Sequence, residues 1–202
     1  MTSLLDVSIS DRVARVTLNR PGKRNALNTA MVEDLLEVER GLGRQGVDVV
    51  ELRAVGTVFS AGADLKEMGS VPLDRLVDRI RGSAAVWIAC CEGPVLGGAI
   101  PVVAACPIVV ATDRVSFRLP ELDRGFFPSP VVGRLMGVLP IRKALLMAIL
   151  GTGMSALDAE RWGLVTQVVA DAEFSDAVQT WVSRLLLADA VDGLRDAWQR
   201  SR

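Results

Sequence analysis

The sequence predicts an α/β fold built as one domain, and three observations predict it. Short apolar runs at residues 13–18, 47–55, 86–91, 108–111 and 165–169 alternate with segments of helical character. Two of these runs, 86–91 and 108–111, are apolar throughout rather than at every second residue, the pattern of strands covered on both faces. Half of the 202 residues are hydrophobic and 23% are charged, which supplies a sizeable core and excludes a disordered composition.

Each element follows from its residues. Val13–Leu18 (VARVTL) is β-branched and alternating, a strand. Residues 19–24 (NRPGKR) form a turn with proline and glycine as breakers. Asn28 caps a helix whose apolar positions Met31, Leu35, Val38 and Leu42 recur at helical spacing, with Gly41 and Gly43 at its end. A strand at 47–55 leads into a loop of small residues at 56–68, then a weakly amphipathic segment at 73–80. VWIACC at 86–91 is a buried strand, after which Gly97 and Gly98 open a short helix running toward Cys106. Ser129 and Pro130 read as an N-cap and a first-turn proline. Ser155 and Asp158 have the spacing of an acidic capping box. Residues 175–202 are mostly helical, with a break near Gly193, and no internal repeat is visible. The chain divides into a core, 1–140, and a helical C-terminal region of the same domain, 141–202.

Composition removes several function classes. The 23 Lys+Arg and 24 Asp+Glu cancel to −1, so the chain has no general electrostatic claim on nucleic acid or an anionic membrane. With no His and no Tyr, Ser–His triads, His metal sites and imidazole or phenol acid–base catalysis are closed. Cys90, Cys91 and Cys106 make neither a disulfide framework nor a zinc spacing. The apolar stretch 86–111 is broken by Glu92 and by glycines and prolines, so it reads as buried structure rather than a membrane span. The first ten residues lack a secretory pattern, and the expected setting is a reducing cytoplasm.

Chemistry then falls to loops. Residues 59–64 (FSAGAD) place four small side chains after a buried strand, so a ligand can reach the backbone. Asp64 and Glu67 suit the positive end of the helix expected next. Residues 96–99 (LGGA) form a second such turn after a second buried strand. Each alone is a tight strand-to-helix connection. Converging, they would aim two N–H groups at one oxygen, an oxyanion hole. Glu121 lies between Leu119, Pro120 and Phe126, Phe127. It is either an ordinary surface carboxylate or a desolvated acid–base group with a raised pKa.

In chain order, VTLNRPGKRNALN, VFSAGADLKEM, EGPVLGGA, VVATDRVSFRLPEL and GTGMSALDAERWGLVTQVV resemble the enoyl-CoA hydratase/isomerase (crotonase) superfamily. The resemblance implies a crotonase-like ββα spiral core, here with a shortened helical C-terminal arm, and assembly as trimers or hexamers. It implies that Ala63 and Gly98 hold the thioester carbonyl of an acyl-CoA, and that Glu121 is the second of two catalytic glutamates. Arg24, Ala26, Leu27, Ala61, Ala63, Asp64, Leu65, Gly98 and Pro120 are the implied substrate and coenzyme A contacts. Lys23 and Arg24 suit phosphates. No metal or redox cofactor is implied, since coenzyme A arrives with the substrate, and an acyl-carrier-protein thioester presents the same carbonyl.

The family's first catalytic glutamate is absent, and Pro101 stands in its place. Proline in a first helical turn costs no helix hydrogen bond but has no acid–base group. One carboxyl beside an oxyanion hole fits a double-bond shift better than two-glutamate hydration, so the expectation is isomerase-like, or else a related hydratase or lyase step. Branches that rely on His, Tyr or a further acid at 127–129 are closed to this chain. The segments between Met68 and Trp87 and beyond Val165 are short for the family. That motivates the alternative of a helper protein that binds the thioester without turning it over. Trp181, Leu185, Leu186, Leu194 and Trp198, apolar on helical segments, either pack on their own core, the commoner fate, or meet a neighbour, and the expectation is a homo-oligomer, a trimer.

Overall fold

The structure, a computed structural model, describes residues 3–67, 69–187 and 190–200. The chain opens with β1 (Leu5–Ser10), β2 (Val13–Leu18), α1 (Thr29–Gly41), β3 (Val49–Ala54) and α2 (Leu73–Arg81). It continues through β4 (Val86–Cys91), β5 (Val95–Leu96), α3 (Ala99–Ala104), β6 (Ile108–Thr112) and β7 (Ser116–Arg118). Next come α4 (Ser129–Leu135), α5 (Ile141–Leu150), β8 (Met154–Ser155), α6 (Ala156–Arg161) and β9 (Gln167–Val169). Helices α7 (Phe174–Leu185) and α8 (Ala190–Arg200) close it.

Six strands form one sheet in the order β1-β2-β3-β4-β6-β9, antiparallel at the first pair and parallel elsewhere. Parallel neighbours need a crossover, and α1, α2 and α3 lie in the first three. A second ladder is made of short pieces. Leu27 pairs with Ala63, Ser60 pairs with Val95 of β5, and β5 pairs with β7, which pairs with β8. Each turn of chain thus lays one strand in the large sheet, one short segment in the second ladder, and one helix. This is a ββα spiral.

The continuous apolar strands have a direct cause. On β4, Trp87, Ala89 and Cys91 enter the main core, while Val86, Ile88 and Cys90 enter a second cluster with Phe174, Val178 and Val182 of α7. Both faces are covered, so no position is left for a polar residue. The same packing accounts for four of the five C-terminal apolar side chains expected at an oligomer contact, the fifth, Trp198, lying under the Arg81 guanidinium at 5.5 Å. Leu185 is buried in this second cluster, and Trp181, Leu186 and Leu194 pack against it.

Asn28 and Ser155 cap as expected, their side-chain oxygens accepting the N–H of Met31 at 3.2 Å and of Asp158 at 3.1 Å. Ser129 does not cap, because Pro128 holds that place and Ser129 is already helical. Gly193 lies inside α8 rather than at a break. The interruption falls between Leu185 and Ala190, and residues 188 and 189 are outside the described set, as is Met68 of the small-residue loop. Among the described residues no helix is long and apolar enough to cross a membrane.

Candidate active site

The two small-residue loops meet because they occupy neighbouring rungs of the second ladder. Leu27 N–H donates to Gly62 O and Asp64 N–H to Leu27 O, both at 2.8 Å, while Leu96 N–H donates to Ser60 O at 2.9 Å. The approach is too close for side chains. Gly62 has φ +86°, and a Cβ there would stand 2.7 Å from Leu96 O and 3.0 Å from Gly98 N. A Cβ on Gly98 would stand 3.4 Å from Ala63 N. Among the described residues no protein acceptor takes the N–H of Ala63 or Gly98. Two unsatisfied donors therefore sit side by side, Gly98 at the start of α3.

What holds the first loop was not anticipated from sequence. Asn25 is fully buried at φ +51°. Its Nδ2 donates to Val55 O at 2.8 Å and Val58 O at 2.9 Å, and its Oδ1 accepts Arg20 N–H at 2.9 Å. Ser60 Oγ donates to Asn25 O at 2.7 Å and accepts Gly62 N–H at 3.2 Å, next to Ala63. The only available signal was the tolerance of Asn for left-handed backbone, hidden in a turn already explained by proline and glycine.

Asp64 and Glu67 do not serve the following helix, because turns intervene before α2. Asp64 pairs with Arg20 at 2.6 Å, and that hydrogen bond holds its carboxyl below the usual range. Glu67 Oε2 accepts Thr29 N–H at 2.8 Å, at the start of α1 instead. The reasoning about an anion at a positive helix end applies, but to a helix earlier in the chain.

Glu121 arrives by the same ladder. Pairing of β5 with β7, extended by Gly97 N–H donating to Arg118 O at 2.9 Å, swings the following turn onto Gly97. A Cβ on Gly97, at φ +51°, would stand 2.6 Å from Glu121 Oε1. The residue is 6% exposed, and its Oε2 is buried with no hydrogen-bond partner. Burial pushes this carboxyl up, opposed by its own backbone N–H and by the charge of Arg124.

These groups face a cavity of about 280 Å³. Of the expected contacts, Ala61, Ala63, Leu65, Gly98 and Glu121 line it, together with Pro101 of α3. Arg24, Ala26, Leu27, Asp64 and Pro120 are not on its wall. Leu27 and Pro120 are buried, and Arg24 is exposed with its carbonyl accepting Ala61 N–H at 2.9 Å. Phe126, Pro128 and Val131 make the wall apolar, and Asp74, Arg124 and Arg134 add charge. Among the described residues no cluster of three His, Cys, Asp or Glu could hold a metal ion. Two donors and one desolvated carboxyl around an apolar space can polarise a carbonyl and move a proton beside it.

The spiral and the paired donors define a crotonase-fold protein. The profile for enoyl-CoA hydratase/isomerase matches residues 8–201, and the chain belongs to that family. It is 35% identical to a mevalonyl-coenzyme A hydratase of Aspergillus fumigatus, over 91% of this chain and 75% of that one. A 2,3-dehydroadipyl-CoA hydratase of Escherichia coli is 33% identical over 82% of this chain and 69% of its own. A solved enoyl-CoA hydratase of Mycobacterium smegmatis superposes with a TM-score of 0.89 at 31% identity, covering 95% of this chain and 81% of that one.

Proposed function

We propose that this chain acts on acyl-CoA thioesters by moving a proton along the acyl chain, shifting a double bond between positions 3 and 2. The carrying observation is one desolvated carboxyl, Glu121, in the same cavity as two unsatisfied N–H groups and Pro101. The thioester oxygen accepts the N–H of Ala63 and Gly98. Glu121 takes a proton from C2 of a 3-enoyl thioester, and the electron pair passes into the carbonyl as a dienolate held by those donors. The same carboxyl returns the proton at C4, leaving the double bond between C2 and C3. Protons balance, and the steps need no metal or redox group. Phe126 and Val131 suit an acyl tail, and exposed Lys23 and Arg24 suit the coenzyme A phosphates.

Glu121→Gln assayed on 3-enoyl-CoA is expected to lose about two to four orders of magnitude in turnover. It is also expected to stop deuterium exchange at C2 of a saturated acyl-CoA. Undiminished turnover rejects the assignment. Hydration is the second reading, favoured by the names of the two curated relatives. Accumulation of 3-hydroxyacyl-CoA from 2-enoyl-CoA, with no isomerisation of 3-enoyl-CoA, selects it. Tight binding without exchange or product selects the helper protein.

The reading includes a homo-oligomer. Its support is α5, where Ile141, Leu145 and Ile149, spaced i, i+4 and i+8, are 56%, 40% and 55% exposed. One helix face of large apolar groups left to water favours a neighbour.

A further inference from the structure

We propose that Arg124 binds a carboxylate carried by the acyl group, so that the substrates are thioesters of dicarboxylic acids. The inference rests on the acyl-CoA reading above. Among the described residues two arginines, Arg124 and Arg134, line the cavity, and they differ in one respect. Arg134 of α4 is engaged by α2, donating to Asp74 Oδ1 at 3.3 Å and to Asp78 Oδ1 and Oδ2 at 2.5 and 3.3 Å. The side chain of Arg124 makes no hydrogen bond or ion pair among the described residues. The carboxylates near it in the chain are engaged or turned elsewhere. Asp123 pairs with Arg118 at 2.6 Å, and Glu121 lies against Gly97.

The charge of Arg124, one turn on from Glu121 and on the same cavity wall, also acts on the Glu121 carboxyl. The cavity thus holds a proton-moving group and an uncommitted cation within electrostatic reach of each other. Phe126, Pro128 and Val131 on this wall offer apolar side chains and no side-chain acceptor. An acyl group filling the cavity displaces water from that wall. Arg124 is exposed at the rim of the cavity, and an apolar tail laid against it would displace part of its water and return nothing. A hydroxyl would answer one donor and leave the charge. A carboxylate offers two acceptors matched to the guanidinium fork and cancels the charge.

The probes are pairs of saturated thioesters of equal carbon count, adipyl-CoA against hexanoyl-CoA and glutaryl-CoA against pentanoyl-CoA, titrated calorimetrically into the full chain. In at least one pair the dicarboxylic member is expected to bind about tenfold tighter. Arg124→Gln is expected to erase that advantage while leaving the monocarboxylic member within about twofold. Equal affinities in both pairs overturn the inference. So does an equal loss of both members in Arg124→Gln, which places the guanidinium on the coenzyme A phosphates. Deuterium exchange at C2 of hexanoyl-CoA separates the two failures. Exchange without carboxylate preference leaves the acyl-CoA reading standing and ends this one, whereas absence of any thioester binding ends both.

Discussion

Gly62 and Gly98 both lack a Cβ, for different reasons, and the same substitution at each distinguishes them. At Gly62 a methyl group needs φ +86° and meets the Leu96 carbonyl, which cannot move without breaking the ladder. Left-handed backbone alone costs about 1–2 kcal/mol for a residue with a Cβ. Gly62→Ala is therefore expected to lower the melting temperature and destroy activity together. At Gly98 the methyl meets Leu73 Cδ1 at 2.8 Å, the tip of a flexible side chain, and φ is ordinary. Gly98→Ala is expected to fold nearly as well and to lose turnover, because the added carbon crowds the donors. Thermal melts that reverse this order would contradict the ladder geometry. Glu121 adds a pH signature. Its folded pKa is raised, so the folded state holds the proton more tightly than the unfolded chain. Stability therefore falls as pH rises from the ordinary carboxylate range through the raised value, and the loss persists at neutral pH. Glu121→Gln should melt higher than the unchanged protein at pH 7 and lose that advantage in acid. Arg124→Gln removes a stabiliser of the charged form, so the acid limb of the pH–rate profile should move further up.

Among elements, the loop that carries Ala63 depends on contacts outside itself. Ser60→Ala removes the acceptor of Gly62 N–H and the donor to Asn25 O. A buried polar group left unpaired costs about 1–3 kcal/mol, and here two are left. The expected result is a lower melting temperature and a fall in kcat larger than the change in KM. An unchanged kcat would mean that the loop is held without this bond. Strand and helix placement was read well where local chemistry decides it. Val13–Leu18 and Val86–Cys91 match the sequence reading end for end, and Asn28 marks the start of α1. The two-residue strands β5 and β8 contain no period to detect and went unread, as did the three-residue β7 and, despite its alternation, β1.

For the whole molecule, the exposed face of α5 makes assembly testable. Light scattering at micromolar concentration is expected to give a multiple of 21.6 kDa. Leu145→Glu with Ile149→Glu is expected to bring the mass down toward one chain without lowering the melting temperature of the core. A mass of one chain before substitution would defeat the proposal. The C-terminal helices were the expected contact, yet α7 presents Phe174, Val178 and Val182 to its own sheet. Amphipathic periodicity shows that a helix has an apolar face but not which surface receives it.

By itself the sequence determined the layers, the buried strands and the two loops free of bulky side chains, because these follow from residue volume, periodicity and backbone freedom. It also shows that these 202 residues offer no imidazole or phenol and that proline occupies position 101. The juxtaposition of Ala63, Gly98 and Glu121 was decided by tertiary structure. No local property links residues 63, 98 and 121. They meet because successive turns of one spiral set equivalent short segments on adjacent rungs, Leu27 with Ala63, Ser60 with Val95, and β5 with β7. The repeat is one of backbone hydrogen bonding rather than of side chains, and so it leaves no periodic mark in the sequence.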